Sequence, residues 1–209
     1  YAALDANMTS TADNNTAVGW FASSAITSGA NNTSVGSGAL ILTSTGSGNT
    51  AVGQAAGDAL TDGLNNVFIG REAGTGTTGV DLTVCIGYNA GAADMTGGGN
   101  ADGSVAIGAN SLNALTSGPG NVAVGYNALA ANTTGGNNVA IGTGVLQHCV
   151  DGAANIGIGS GAMDDWDVGG GTSTTVDGSN NNVMIGVNAG GGAWTNVQSN
   201  FNVGIGNYV

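Results

Sequence analysis

Apolar and polar positions along this chain are locked to a recurring glycine. Val or Ile stands directly before it, and Asn usually stands four residues before it. The glycine falls at Gly19, Gly36, Gly53, Gly70, Gly87, Gly108, Gly125, Gly142, Gly159, Gly186 and Gly206. Seven of the ten intervals are 17 residues, and the others are 21, 27 and 20. Self-similarity at a fixed period is the signature of a stacked repeat architecture.

Each column has its own chemistry. The position before the glycine is Val or Ile throughout, from Val18 to Ile205. Two residues earlier stand Thr16, Thr33 and Thr50, then Val or Ile from Val67 onward. Strand side chains alternate, so these two columns share a face, which is expected to point inward. The Asn column is Asn15, Asn32, Asn49, Asn66, Asn121, Asn138, Asn155, Asn182 and Asn202, broken only by Thr83 and Ser104. Stacked rungs would turn it into a ladder of side-chain amides, each donating to the next. Three residues past the glycine Ala predominates, followed by a column holding Leu40, Leu112, Leu129, Leu146 and Met163. A second set of glycines, among them Gly29, Gly46, Gly63, Gly118 and Gly135, marks another corner.

The pattern predicts two short extended segments and two corners per rung. A helical repeat is excluded, because each glycine in a helix costs about 1 kcal/mol. The expected fold is all-β: a parallel β-solenoid of eleven rungs in one domain, residues 1–209. Its longer rungs place insertions near 92–102, 164–179 and 191–200. At about 4.8 Å per rung the rod is about 50 Å long.

A lone rung is unstable. Ordering its residues costs about 1–2 kcal/mol each, and only a few aliphatic side chains at about 1.5–3 kcal/mol each oppose that. The interior is thin and Ala-rich, which predicts that coils pack on one another, most simply as a homotrimer. Unpaired first and last rungs would template end-to-end stacking. No polar cap is visible, so the array is expected either to continue in a longer chain or to stack on copies of itself.

The strings at Asn14–Gly19, Ser104–Gly108 and Asn137–Gly142 resemble the head repeat of trimeric autotransporter adhesins, whose Ser-Val-Ala-Ile-Gly core stands at 104–108. The whole chain is still more similar to the repeats of bacteriophage tail fibres, as Gly125–Leu129 with Tyr126, Ala128 and Leu129 illustrates. The 17-residue period, longer than that of adhesin heads, favours the fibre family. The resemblance implies a left-handed, three-chain β-roll on a virion or cell surface, with no catalytic residues in the repeat.

Charge narrows the partners. With 13 acidic residues and one Arg the net charge is −12. Nucleic-acid binding needs cations that this chain lacks, and an anionic membrane would repel it. No apolar run is long enough to span a bilayer.

Candidate chemistry is sparse. His148 is the only His and Glu72 the only Glu, so a Ser–His–acid triad would need His148 and a glycosidase would need paired Asp residues. His148 adjoins Cys149 but would point the opposite way on a strand. Cys85 and Cys149 lie about four rungs apart, too far for a disulfide, and both are expected free. Asp164, Asp165, Asp167 and Asp177 form an acidic cluster that could hold Ca²⁺. No other cofactor is expected. Trp166 and Trp194 are candidate glycan contacts. The Thr column at Thr27, Thr61, Thr78, Thr116 and Thr133 is too interrupted to make an ice-binding face. The first expectation is a non-enzymatic fibre segment presenting a host- or surface-binding region. The alternatives are a self-stacking filament subunit and an adhesin head or glycan-binding module.

Overall fold

A computed structural model describes residues 3, 4, 6, 8–95, 101–164, 178–191 and 199–209. Eleven three-residue strands run through it. They are β1 (Thr16–Val18), β2 (Thr33–Val35), β3 (Thr50–Val52), β4 (Val67–Ile69), β5 (Val84–Ile86), β6 (Val105–Ile107), β7 (Val122–Val124), β8 (Val139–Ile141), β9 (Ile156–Ile158), β10 (Val183–Ile185) and β11 (Val203–Ile205). They form one parallel sheet in chain order. This is an all-β parallel solenoid, and the described residues contain no helix.

The register is like on like. Thr33 pairs with Thr50 and Val35 with Val52. The longer intervals leave it unchanged, with Val84 opposite Val105, Ile156 opposite Val183, and Val183 opposite Val203. The expected second extended segment is not a strand. Each rung contributes one strand, and its other described residues run through turns and bends.

The strand faces are the reverse of expectation. The central residue of each strand points inward: Ser34, Ala51, Phe68, Cys85, Ala106, Ala123 and Ala140 are buried. The β-branched pair on either side points out. Val35, Val52, Ile69, Ile107 and Ile141 each keep 36–39% of their surface exposed. The reason is width. One strand and a string of turns enclose a bore that takes a small side chain at most inward strand positions and has no room for two aliphatic columns from the same strand. Ile205 therefore belongs to an outward column, at 70% exposed, rather than an inward one.

The bore is filled by compensation between columns. Leu40, Leu112, Leu129, Leu146 and Met163 are fully buried on the wall facing the sheet. Where the strand supplies a large residue instead, the facing position becomes Gly. A Cβ on Gly57 or Gly74 would collide with the ring of Phe68, and one on Gly91 with the Cys85 sulfur. Ser23 and Ser34 fill the same two positions with a buried pair of hydroxyls 2.8 Å apart. Close packing of this kind leaves little tolerance for volume changes.

The strand-ending glycine is demanded by the rung spacing in every rung, and the glycine of the other corner in those rungs that carry it. Gly125 has φ of +142°, and an added Cβ would overlap the carbonyl oxygen of Gly142 in the next rung. At the other corner a Cβ on Gly118 would overlap the carbonyl of Gly135. Gly38 separates the two effects, since its φ is +69° but nothing lies within 4 Å of an added Cβ. Gly125→Ala should therefore cost more than about 3 kcal/mol, from backbone strain plus collision, and Gly38→Ala about 1 kcal/mol from strain alone. Chemical denaturation followed by far-UV circular dichroism measures both. Equal costs would show that the corner spacing is not the constraint.

Candidate functional site

The interior holds a ladder of buried amides. Nδ2 of Asn32 donates to Oδ1 of Asn15 at 3.1 Å and to the corner carbonyl of Gly46 at 2.8 Å. The backbone N–H of Asn32 donates to the same Oδ1 at 2.9 Å. Asn49 and Asn66 repeat this arrangement one rung at a time. So do Asn138, Asn155 and Asn182, the last donating to the Ser199 carbonyl. Asn202 donates to Asn182 in the same way. The amides donate back to the preceding rung, opposite in direction to the expected hand-on. Asn32, Asn49, Asn138, Asn155 and Asn182 each have both amide hydrogens and both oxygen lone pairs engaged, the full capacity of the group.

The ladder lapses where Asn is absent, but only in part. The Thr83 N–H still donates to Oδ1 of Asn66 at 2.9 Å. The Asn121 N–H donates to Oγ of Ser104 at 3.3 Å. Nδ2 of Asn121 then bonds Gly118 and Gly135.

A second side-chain ladder, absent from the sequence reading, lies two residues before the Asn column. The Leu64 N–H donates to Oδ1 of Asp81 at 2.7 Å, and the Asp81 N–H to Oδ1 of Asp102 at 2.9 Å. The Ala30 N–H donates to Oγ of Ser47, and the Ala153 and Asn180 N–H groups to Oδ1 of Asn180 and Asn200. Its signal in the sequence is a column of short acceptors, Asp, Ser and Asn, where conformational turns tolerate them.

The remaining candidates do not converge. Asp165, Asp167, Asp177, Trp166 and Trp194 lie outside the described residues. Asp164 is described, and its backbone carbonyl lies 2.7 Å from Nδ1 of His148. The Cys149 sulfur is buried and turns toward the carbonyl of Gly152, 3.9 Å away. Among the described residues no group of three or more His, Cys, Asp and Glu side chains is placed to hold a metal ion. No helix among them is long and apolar enough to cross a membrane. Neither cysteine is in a disulfide, and burial pushes the Cys85 thiol up to about 12. A thiol held in its neutral form is a poor nucleophile.

The largest feature left is the outer face of the sheet. Two columns of side chains run its full length, Thr16 to Val203 and Val18 to Ile205, aliphatic at every position except three Thr. Comparison with protein-family models, with curated proteins and with solved structures finds no match to this chain.

Two outcomes test this account of the interior. Asn138→Ala removes a fully bonded amide and strands its partners, so unfolding should become easier by about 2–4 kcal/mol. Asn127→Ala should cost less, since Asn127 is half-buried and accepts a single 3.3 Å bond from Nδ2 of Asn110. Cys85 has a folded value raised from the ordinary 9.0. Its contribution to stability is therefore fully present below pH 9 and lost as pH rises from there toward 12. Native protein at pH 8 should resist thiol alkylation at Cys85, and Cys85→Ala should flatten the loss of stability between pH 9 and 11. Rapid labelling of the native thiol would contradict this.

Proposed function

We propose that this chain is a non-enzymatic segment of an extracellular homo-oligomeric fibre, a shaft or head that presents a host- or surface-binding region on a virion or cell. The carrying observation is the outward aliphatic strip. Soluble monomers rarely leave a contiguous apolar patch of more than a few hundred Å² in water, and this one follows the sheet for about 50 Å. A second copy of the chain carries the same flat, regular strip and so fits it rung for rung. The homotrimer and the left-handed coil rest on the likeness to tail-fibre and adhesin-head repeats. The strip supports the association.

The remaining surface suits that role. It carries almost no cations, and the excess of carboxylates keeps assembled rods apart and soluble. Stacked rungs joined by continuous hydrogen bonding make a spacer that resists bending better than a chain of linked domains.

Sedimentation at micromolar concentration should give three chains or more. Ile107→Asp combined with Val122→Asp places charges on two adjacent rungs of the strip. It should release folded monomers with an unchanged far-UV spectrum, because neither side chain fills the bore. A wild-type chain that sediments as a stable folded monomer would overturn the reading.

A further inference from the structure

The corner residue that follows each strand-ending glycine forms a column of its own. Its backbone is stacked rung on rung. The carbonyl of Trp20 accepts from the Gly38 N–H at 2.8 Å, that of Tyr88 from Asn110 at 3.0 Å, that of Ala109 from Asn127 at 3.1 Å, and that of Tyr126 from Gly144 at 2.9 Å. Side chains in this column therefore stand in a row along the rod, one rung apart.

Three of them are exposed aromatic rings. Trp20, Tyr88 and Tyr126 keep 58%, 46% and 54% of their surface in solvent. Folding gives no reason for this, since the bore is closed without them and other rungs carry Ser, Gln or Thr here. Their spacing is regular in a particular way. Tyr88 and Tyr126 are two rungs apart, hence about 10 Å, and Trp20 is four rungs before Tyr88, hence about 19 Å.

Between Tyr88 and Tyr126 the column carries only the methyl of Ala109. The Arg71 guanidinium carbon lies 4.7 Å from the centroid of the Tyr88 ring, covering it from the preceding rung and holding its orientation. Trp20 borders an apolar cleft of about 270 Å³ with Phe21, Ser37, Gly38 and Ile41.

We propose that this column is a platform for a neutral β-1,4-linked polysaccharide lying along the rod, with sugar rings stacked on Tyr88 and Tyr126 and again at Trp20. Aromatic faces bind the C–H faces of pyranose rings by dispersion and the hydrophobic effect. In a flat β-1,4-linked chain, like-facing rings recur every second sugar, which matches a two-rung step. The net charge of −12 turns away polyanions, including nucleic acids and acidic glycans, and leaves neutral chains. The platform rests on the reading of the chain as a surface-binding fibre, and it assigns that fibre a face and a ligand class.

The test is depletion of the full chain from solution by microcrystalline cellulose and by chitin beads, with cellohexaose and chitohexaose as soluble competitors. The two arms distinguish glucose from N-acetylglucosamine chains. Wild type should bind at least one. Tyr88→Ala and Tyr126→Ala should each weaken binding about tenfold, as expected for loss of one stacked ring, while Tyr88→Phe should retain it. The double variant Y88A/A109Y keeps the number of rings but halves their separation, and it should bind no better than Y88A. No binding to either polysaccharide would overturn the platform, as would alanine variants that bind like wild type or a Y88A/A109Y chain that binds fully. Sedimentation of the same samples separates the two readings. An oligomer that fails to bind sinks the platform and leaves the fibre, and a binding monomer does the reverse. Alanine variants that lose oligomerisation without any sugar effect would assign the rings to contacts between chains, against the platform.

Discussion

At the strand-ending corner of this coil, successive backbones meet only where neither carries a Cβ. That exclusion sets everything else. With glycine at the strand-ending corner, successive carbonyls stack directly on one another, and the strand that precedes each corner must fall in register with the one below. Once the strands are in register, like stands over like. The buried Asn amides can then bond with full capacity, the outward Val and Ile rows line up, and the corner side chains form files. A single bulky residue at such a corner would push one rung off its neighbour and break all of these rows at once.

The amide ladder supplies what the thin hydrophobic interior lacks. Ala contributes little burial energy, so a bore lined with it depends on hydrogen bonds that have no competing water. Thr83 and Ser104 show what the ladder can spare. The Thr83 N–H still reaches the Asn66 amide oxygen and the Asn121 N–H still reaches the Ser104 hydroxyl, while the amide-to-amide bond lapses. Asn132 marks the opposite case. It is buried among the aliphatic positions, and neither Nδ2 nor Oδ1 finds a partner. That rung carries a desolvation cost that its neighbours at Leu115 and Cys149 avoid.

Period, register and the identity of the buried Asn column were legible in the amino-acid sequence, because a fixed spacing of glycine and asparagine has few geometric solutions. The facing of the strands was not. Aliphatic columns ordinarily mark a core, and here they mark the outside, since the coil is too narrow to contain them. The contrary signal was present in exchanges between columns. Phe68 occurs with Gly57 and Gly74, and Cys85 with Gly91, as expected of residues that share a small closed space. The column holding Asp81 and Asp102 was also missed, because short polar residues at a turn read as surface unless the backbone groups they serve are known. The aromatic file went unread for a related reason. Trp20, Tyr88 and Tyr126 are far apart in sequence and become neighbours only once the column is recognised as a line in space.

Interchangeable rungs also make the molecule a ruler. Because β6, β7 and β8 stack in register and fill the bore alike, with Ala106, Ala123 and Ala140 on the strand and Leu112, Leu129 and Leu146 in the wall, recombination between their coding repeats can delete or duplicate 17 residues without creating a new junction. Length would then change in fixed steps, each translating everything beyond it by one strand spacing. Reach could be adjusted by gene slippage alone, with no rung needing to be redesigned.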